Sequence, residues 1–140
     1  KLAGQTEDAR RVLRIALQEY ANSNAALPAR TLLGQMYFEE GNLVQAQNEL
    51  RRVIEGDPSP DAKAQALLIL GNIYQATGQT KQADASYQEI IAKHKSSSAV
   101  QGAYLNLGKL LDCFEEARLS LTRACRTFFK AKEHHLAFAV

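Results

Sequence analysis

One short pattern recurs along the chain at a fixed spacing of 37 residues. A leucine-glycine pair is followed at constant offsets by a tyrosine, a glycine and an alanine. The first complete copy is Leu33-Gly34, Tyr37, Gly41 and Ala46, and the second is Leu70-Gly71, Tyr74, Gly78 and Ala83. A further copy begins at Leu107-Gly108. A constant period of this size predicts an array of stacked repeats, in which each repeat packs mainly against its neighbours.

Each complete repeat is predicted to form two helices. In residues 27–58, apolar side chains recur at spacings of three and four on both sides of Gly41, and a glycine suits the left-handed turn that ends a helix. The Gly56-Asp57-Pro58 segment then ends the second helix, because proline cannot continue it. Residues 61–95 show the same arrangement of apolar residues around Gly78. Both segments are therefore predicted to be antiparallel helix pairs.

The two ends of the chain depart from this scheme. Residues 5–21 match only the second helix of a repeat, since Ala9 and Leu13 lie 37 residues before Ala46 and Leu50. We interpret them as a half repeat of a truncated array, whose first helix precedes the chain.

The copy over residues 98–126 is degenerate. Nine residues separate Gly108 from Ala117, where twelve separate Gly34 from Ala46, and the turn glycine is missing. Three interpretations remain open: a shortened turn, a single fused helix, or residues missing from the chain. The shortened turn is the default, because it keeps the antiparallel pair that buries both apolar faces. Residues 127–140 are predicted to be a capping helix or a tail.

Composition excludes several classes of function. The 140 residues are 46% hydrophobic and 23% charged, which is typical of a globular domain, and a net charge of +2 is too small to favour nucleic acid. No apolar run reaches the length needed to insert into a membrane. No nucleophile-base pair, phosphate loop or metal-ligand spacing is present, so we expect neither an enzyme nor a cofactor or metal site. Cys113 and Cys125 are predicted to be small core residues.

The pattern of Leu-Gly, Tyr, Gly, Ala and a large residue resembles the tetratricopeptide repeat over roughly residues 5–125. The resemblance implies an all-α fold, a right-handed superhelical array of antiparallel helix pairs with about seven helices in a single domain, 1–140. The period differs from the usual value of about 34. Lengthened repeats of this kind resemble those common in bacterial cell-envelope and assembly proteins. That analogy implies a bacterial protein of the envelope or the cytoplasm, with the envelope preferred.

The resemblance also implies where a ligand would bind. In this family the first helices of successive repeats line a concave groove, which holds a protein or peptide partner. The positions that would face the groove are Thr31, Gln35, Phe38, Leu68, Asn72, Gln75, Leu105 and Lys109. Some family members bind the terminal carboxylate of a partner through asparagines and cations. Asn72 and Asn106 match the asparagines, but Leu68 occupies the first lysine position, so this ligand is not expected.

A second hypothesis is a self-associating assembly module. An apolar stripe continues through the degenerate copy and includes Leu111, Phe114, Leu121 and Phe128. If the two helices there are fused, this stripe would need another chain to cover it. The pattern therefore allows a homodimer through the C-terminal half, formed by helix exchange or by contact between array ends.

Overall fold

The computed structural model describes the backbone of residues 2–138 and the side chains of residues 4–127 and 129–131. Over these residues the chain is helical apart from short connections, and it contains no strand. The helices are α1 (Leu2–Glu19), α2 (Ala26–Glu39), α3 (Leu43–Glu55), α4 (Pro60–Ala76), α5 (Thr80–Lys93) and α6 (Ala99–Phe138). Residues up to Leu107 form one compact unit, and residues from Gly108 onward form a second.

The first unit is built from two helical hairpins, α2 with α3 and α4 with α5, and α1 packs against α2. The hairpins turn at the predicted glycines, since Gly41 has φ of +80° and Gly78 has φ of +75°. The backbone N–H of Asn42 donates to Tyr37 O, and that of Gln79 donates to Tyr74 O, each at 2.8 Å. These bonds satisfy carbonyls at the helix end. Residues 37 positions apart thus make the same turn.

Each hairpin closes where a glycine of its first helix faces a large side chain of its second. A Cβ atom at Gly34 would lie 2.9 Å from Cγ of Leu50, and one at Gly71 would lie 2.5 Å from Cε1 of Tyr87. Leu50 and Tyr87 are completely buried, as are the alanines Ala46 and Ala83. The small residues let the helices approach, and the large ones fill the remaining space.

An arginine–tyrosine contact links successive repeats. Arg14 of α1 donates to the hydroxyl of Tyr37 in α2, and Arg51 of α3 donates to the hydroxyl of Tyr74 in α4 at 3.4 Å. Both members of the second pair lie 37 residues after those of the first. One further period along, the corresponding residues are Gln88 and Leu111, so the sequence does not provide a third copy of the contact.

The degenerate copy over residues 98–126 differs from the default expectation. Helix α6 runs without interruption from Ala99 to Phe138, so the shortened turn is wrong and the fused helix is what forms. The structure therefore has six helices over the described residues instead of about seven. Residues 109–116 contain neither glycine nor proline, and nothing in this stretch stops a helix that has already begun.

The same difference changes the surroundings of the two cysteines. Cys113 and Cys125 are free and exposed, so their predicted placement in a core is wrong. The core position depended on the antiparallel pair that the fused helix replaces. None of the described helices is both long enough and apolar enough to cross a membrane.

Candidate partner-binding groove

A pocket of about 360 Å³ opens on the first unit where α2 meets α4 and the beginning of α6. Five of the eight predicted groove residues line it: Thr31, Gln35 and Phe38 from α2, and Leu68 and Asn72 from α4. Spacings of three and four place such residues on the same face of a helix. The packing of α2 against α4 then brings the two faces together.

The other three predicted residues do not line this pocket. Gln75 points toward the hairpin interior, where its Oε1 accepts a hydrogen bond from Tyr87 at 3.1 Å. Leu105 is 61% exposed in the first unit, and Lys109 is an exposed residue of the second unit.

Five lining residues were absent from the sequence prediction, namely Glu39, Gln65, Ile69, Ser98 and Ala99. Helical spacing would have found three of them, since Ile69 lies three residues before Asn72. Glu39 lies four residues after Gln35, and Gln65 lies three before Leu68. Ser98 and Ala99 could not be found in this way, because they enter the pocket from the beginning of the next helix.

The apolar part of the pocket consists of Phe38, Leu68 and Ile69, all of which are partly buried. Leu68 is held in place by α6, since a Cβ atom at Gly102 would lie 2.9 Å from Cδ2 of Leu68. The absence of a side chain at Gly102 therefore gives Leu68 its position beside the pocket.

Asn72 connects the pocket to the buried core. Its Oδ1 accepts hydrogen bonds from the Tyr87 hydroxyl at 2.8 Å and from Nδ2 of Asn106 at 2.6 Å. Burial raises the pKa of Tyr87 to about 12, although a hydrogen bond with Asn106 acts in the opposite direction. Tyr87 therefore stays protonated near neutral pH and donates to Asn72. The Asn72 oxygen already accepts two hydrogen bonds, and its amide nitrogen can donate to a ligand.

Carboxylates lie beside the amide groups of the pocket. Gln35 Nε2 donates to Glu39 Oε1 at 3.0 Å, and Gln65 Nε2 donates to Asp61 Oδ2 at 3.2 Å. The lining residues include one carboxylate, Glu39, and no lysine or arginine. This chemistry suits apolar groups and hydrogen-bond donors, and it provides no cation for a terminal carboxylate. Over the described residues no group of three or more His, Cys, Asp or Glu side chains could hold a metal ion.

Two family models, both described as tetratricopeptide repeat, match residues 2–68 and residues 65–97. The chain is a tetratricopeptide repeat protein. The two matches extend from α1 through α5, and the all-helical structure is that of a tetratricopeptide-repeat-like α-solenoid. Tetratricopeptide repeats are generally protein–protein interaction modules, and the family is typically a non-enzymatic scaffold. No curated protein matches the chain.

Proposed function

We propose that this tetratricopeptide repeat protein is a scaffold or adaptor that holds an extended segment of a partner protein in the groove between α2 and α4. The observation that supports the proposal is the convergence of Thr31, Gln35, Phe38, Leu68 and Asn72 on one pocket. These residues come from the first helices of two successive repeats, which are the helices that the family uses for partners. The proposal assigns no catalytic activity, cofactor or nucleic-acid ligand.

The polar and the apolar residues of the groove would make different contacts with a partner. The amide nitrogen of Asn72 can donate a hydrogen bond to a backbone carbonyl of the partner. This contact would position the bound segment and would not depend on the partner's side chains. An apolar side chain of the partner can then pack on Phe38 and Leu68. Burying a side chain of this size stabilises a complex by about 1.5–3 kcal/mol, which is roughly 10- to 100-fold in affinity.

Peptides selected from a displayed library of random 12-residue sequences test this proposal. After selection on the intact chain, the Phe38→Ala variant is expected to bind the selected peptides about 10-fold or more weakly, because it loses the apolar contact. Leu32→Ala is the matched control, since Leu32 lies on the same helix, is 49% exposed and does not line the pocket.

Circular dichroism should show unchanged helicity in both variants. Selected peptides that bind Phe38→Ala as tightly as the unmodified chain would contradict the groove as the binding site. A library that yields no enriched peptide would also count against it.

Self-association is the second candidate function, and it is supported by the exposed apolar side chains of α6. In the second unit Leu111, Phe114 and Leu121 are 55%, 51% and 71% exposed. We propose that a second copy of the chain covers them. Sedimentation over a range of protein concentrations should then detect a dimer that Leu121→Gln weakens. Val44→Gln, at a 70% exposed position of α3, should leave the dimer intact, and a monomer at every concentration would exclude this function.

A further inference from the structure

We propose that the groove selects partner segments in which a lysine or arginine follows or precedes the apolar anchor, and that it disfavours acidic segments and free terminal carboxylates. This inference rests on the proposed function, because it names the class of partner for the same groove. It is carried by the carboxylate of Glu39 on α2, which lines the pocket without an ion-pair partner among the described side chains. Asp61 on α4 adds a second carboxylate, which does not line the pocket itself but is hydrogen-bonded to the lining residue Gln65.

Each carboxylate lies about one helical turn from a glutamine that lines the pocket. Glu39 lies four residues after the pocket residue Gln35, and Asp61 lies four residues before the pocket residue Gln65. Each accepts a hydrogen bond from the amide nitrogen of its glutamine, at 3.0 and 3.2 Å. Asp61 also accepts from the Ser97 hydroxyl at 2.5 Å, beside Ser98 of the pocket. The donors that orient both carboxylates are therefore neutral.

Neighbouring carboxylates have charged partners. Glu40, the next residue after Glu39, forms an ion pair with Arg10 at 2.7 Å, and Glu89 of α5 pairs with Lys63 at 3.4 Å. Among the described side chains, no lysine, arginine or histidine nitrogen lies within 4.0 Å of a carboxylate oxygen of Glu39 or Asp61. The negative charge of Glu39 therefore lies in the pocket lining without an ion pair to a described side chain, and Asp61, one helical turn from Gln65, forms none either.

A partner cation would complete this arrangement. A carboxylate oxygen has lone pairs beyond the one that its glutamine uses, and an ammonium or guanidinium group donates to it in a charge-assisted hydrogen bond. An acidic side chain or a terminal carboxylate would instead meet negative charge with no cation in the pocket lining. The affinity should therefore be highest for peptides with a basic residue beside the apolar anchor, lower with a neutral residue there, and lowest with an acidic one.

The test uses a peptide recovered from the random 12-residue library, synthesised in three forms. One form keeps its lysine or arginine, the second carries glutamine there, and the third carries glutamate. The basic form is expected to bind about three- to tenfold more tightly than the neutral form, because the pair is partly exposed. The acidic form should bind more weakly than either. The preference should shrink in 0.5 M salt, which screens exposed charges over roughly 4 Å.

Glu39→Gln should remove most of the difference between the basic and neutral forms. Glu55→Gln is the matched control, since Glu55 is an exposed carboxylate at the end of α3 outside the pocket, and it should preserve the preference. A library enriched in acidic sequences would overturn the inference, as would a basic preference that survives Glu39→Gln unchanged.

Failure of this inference can be distinguished from failure of the proposed function. If Phe38→Ala weakens binding but Glu39→Gln changes no preference, the groove binds peptides and the charge selection is wrong. If neither variant changes binding, the groove itself is not the site.

Discussion

Adding one methyl group at Gly71 should destabilise this protein more than any other glycine-to-alanine change in a helix of the first unit. The new Cβ atom would lie 2.5 Å from Cε1, 3.0 Å from Cζ and 3.1 Å from Cδ1 of Tyr87. Tyr87 is completely buried, and its hydroxyl is hydrogen-bonded to Asn72 and Gln75. The ring therefore has neither space to retreat nor freedom to rotate without losing a hydrogen bond.

The expected loss of stability in Gly71→Ala is the sum of three contributions. Overpacking of a core costs typically about 1–3 kcal/mol, and a lost hydrogen bond adds about 0.5–1.5 kcal/mol. Replacing glycine by alanine in a helix returns about 0.5–1 kcal/mol. Gly71→Ala should therefore lower the free energy of unfolding by about 1–3 kcal/mol. Gly71→Leu should be more severe, because it adds three further carbon atoms at the same contact.

Urea unfolding followed by circular dichroism measures the effect, with Gly108→Ala as the control. Gly108 also lies in a helix, but apart from its chain neighbours and its own helix backbone no atom lies within 4 Å of the position that a Cβ atom would take there. This change should therefore stabilise the protein by up to about 1 kcal/mol. In a Tyr87→Leu background the cost of Gly71→Ala should fall by at least about 0.5 kcal/mol, since the clashing ring is gone. Equal stability of Gly71→Ala and Gly108→Ala would refute the reasoning.

Three further predictions concern pH, a turn and the fused helix. The pKa of Tyr87 is raised from 10.0 to about 12, so the stability that its protonated hydroxyl contributes is complete below pH 10 and is lost as the pH rises toward 12. Urea midpoints measured over this range should fall for the unmodified chain, and Tyr87→Phe should lack this fall. Gly78→Ala should lower the free energy of unfolding by about 1 kcal/mol because φ is +75° there, although no atom beyond the adjacent residues lies within 4 Å of the added Cβ; an unchanged urea midpoint would exclude the strain. Inserting Gly-Asn-Gly after Leu111 should interrupt α6, restore the antiparallel pair and favour monomer over any dimer in light scattering; a dimer that survives the insertion would exclude helix exchange.

The sequence alone predicts the local structure where a residue type has a single physical role. Gly41 and Gly78 are predicted to end helices, and both adopt the positive φ that glycine tolerates best. Ser59 is a residue type that favours the N-cap, and its Oγ accepts the backbone N–H of Ala62 at 3.3 Å at the start of α4. Threonine also favours the N-cap, but Thr80 is the first residue of α5, and Gln79 occupies the cap position without a side-chain hydrogen bond.

Prediction fails where local and long-range effects compete. The shortened turn is favoured by sequence because it would bury the apolar faces on both sides of residue 112, which is an argument about packing. Local helix propensity decides the outcome, since residues 109–116 offer no stop signal and α6 continues. Leu32 illustrates the same limit, because its apolar character suggests an inward position, yet it is 49% exposed.

The groove is only partly predictable for a related reason. Residues that repeat with helical spacing on α2 and α4 can be found from the sequence, but the carboxylates beside them have no counterpart in the repeat pattern. The residue 37 positions after Glu39 is Ala76, and the one 37 positions after Asp61 is Ser98. The negative charge of the groove is therefore a property of this particular pair of repeats, and a repeat consensus could not have revealed it.

The contact that closes the second hairpin also fixes the groove. Gly71 and Asn72 are adjacent in α4, and Tyr87 contacts both, with its ring against Gly71 and its hydroxyl on Asn72 Oδ1. The direction in which Asn72 can donate is thus set by a side chain of the core. Tyr87→Phe would remove one of the two hydrogen bonds on Asn72 Oδ1 while keeping the ring and the bond from Asn106, so it should weaken the binding of selected peptides by less than Phe38→Ala does. Tyr87 supports both the hairpin contact at Gly71 and the position of Asn72. A substitution that displaces its ring should therefore reduce partner binding even where the helices remain folded.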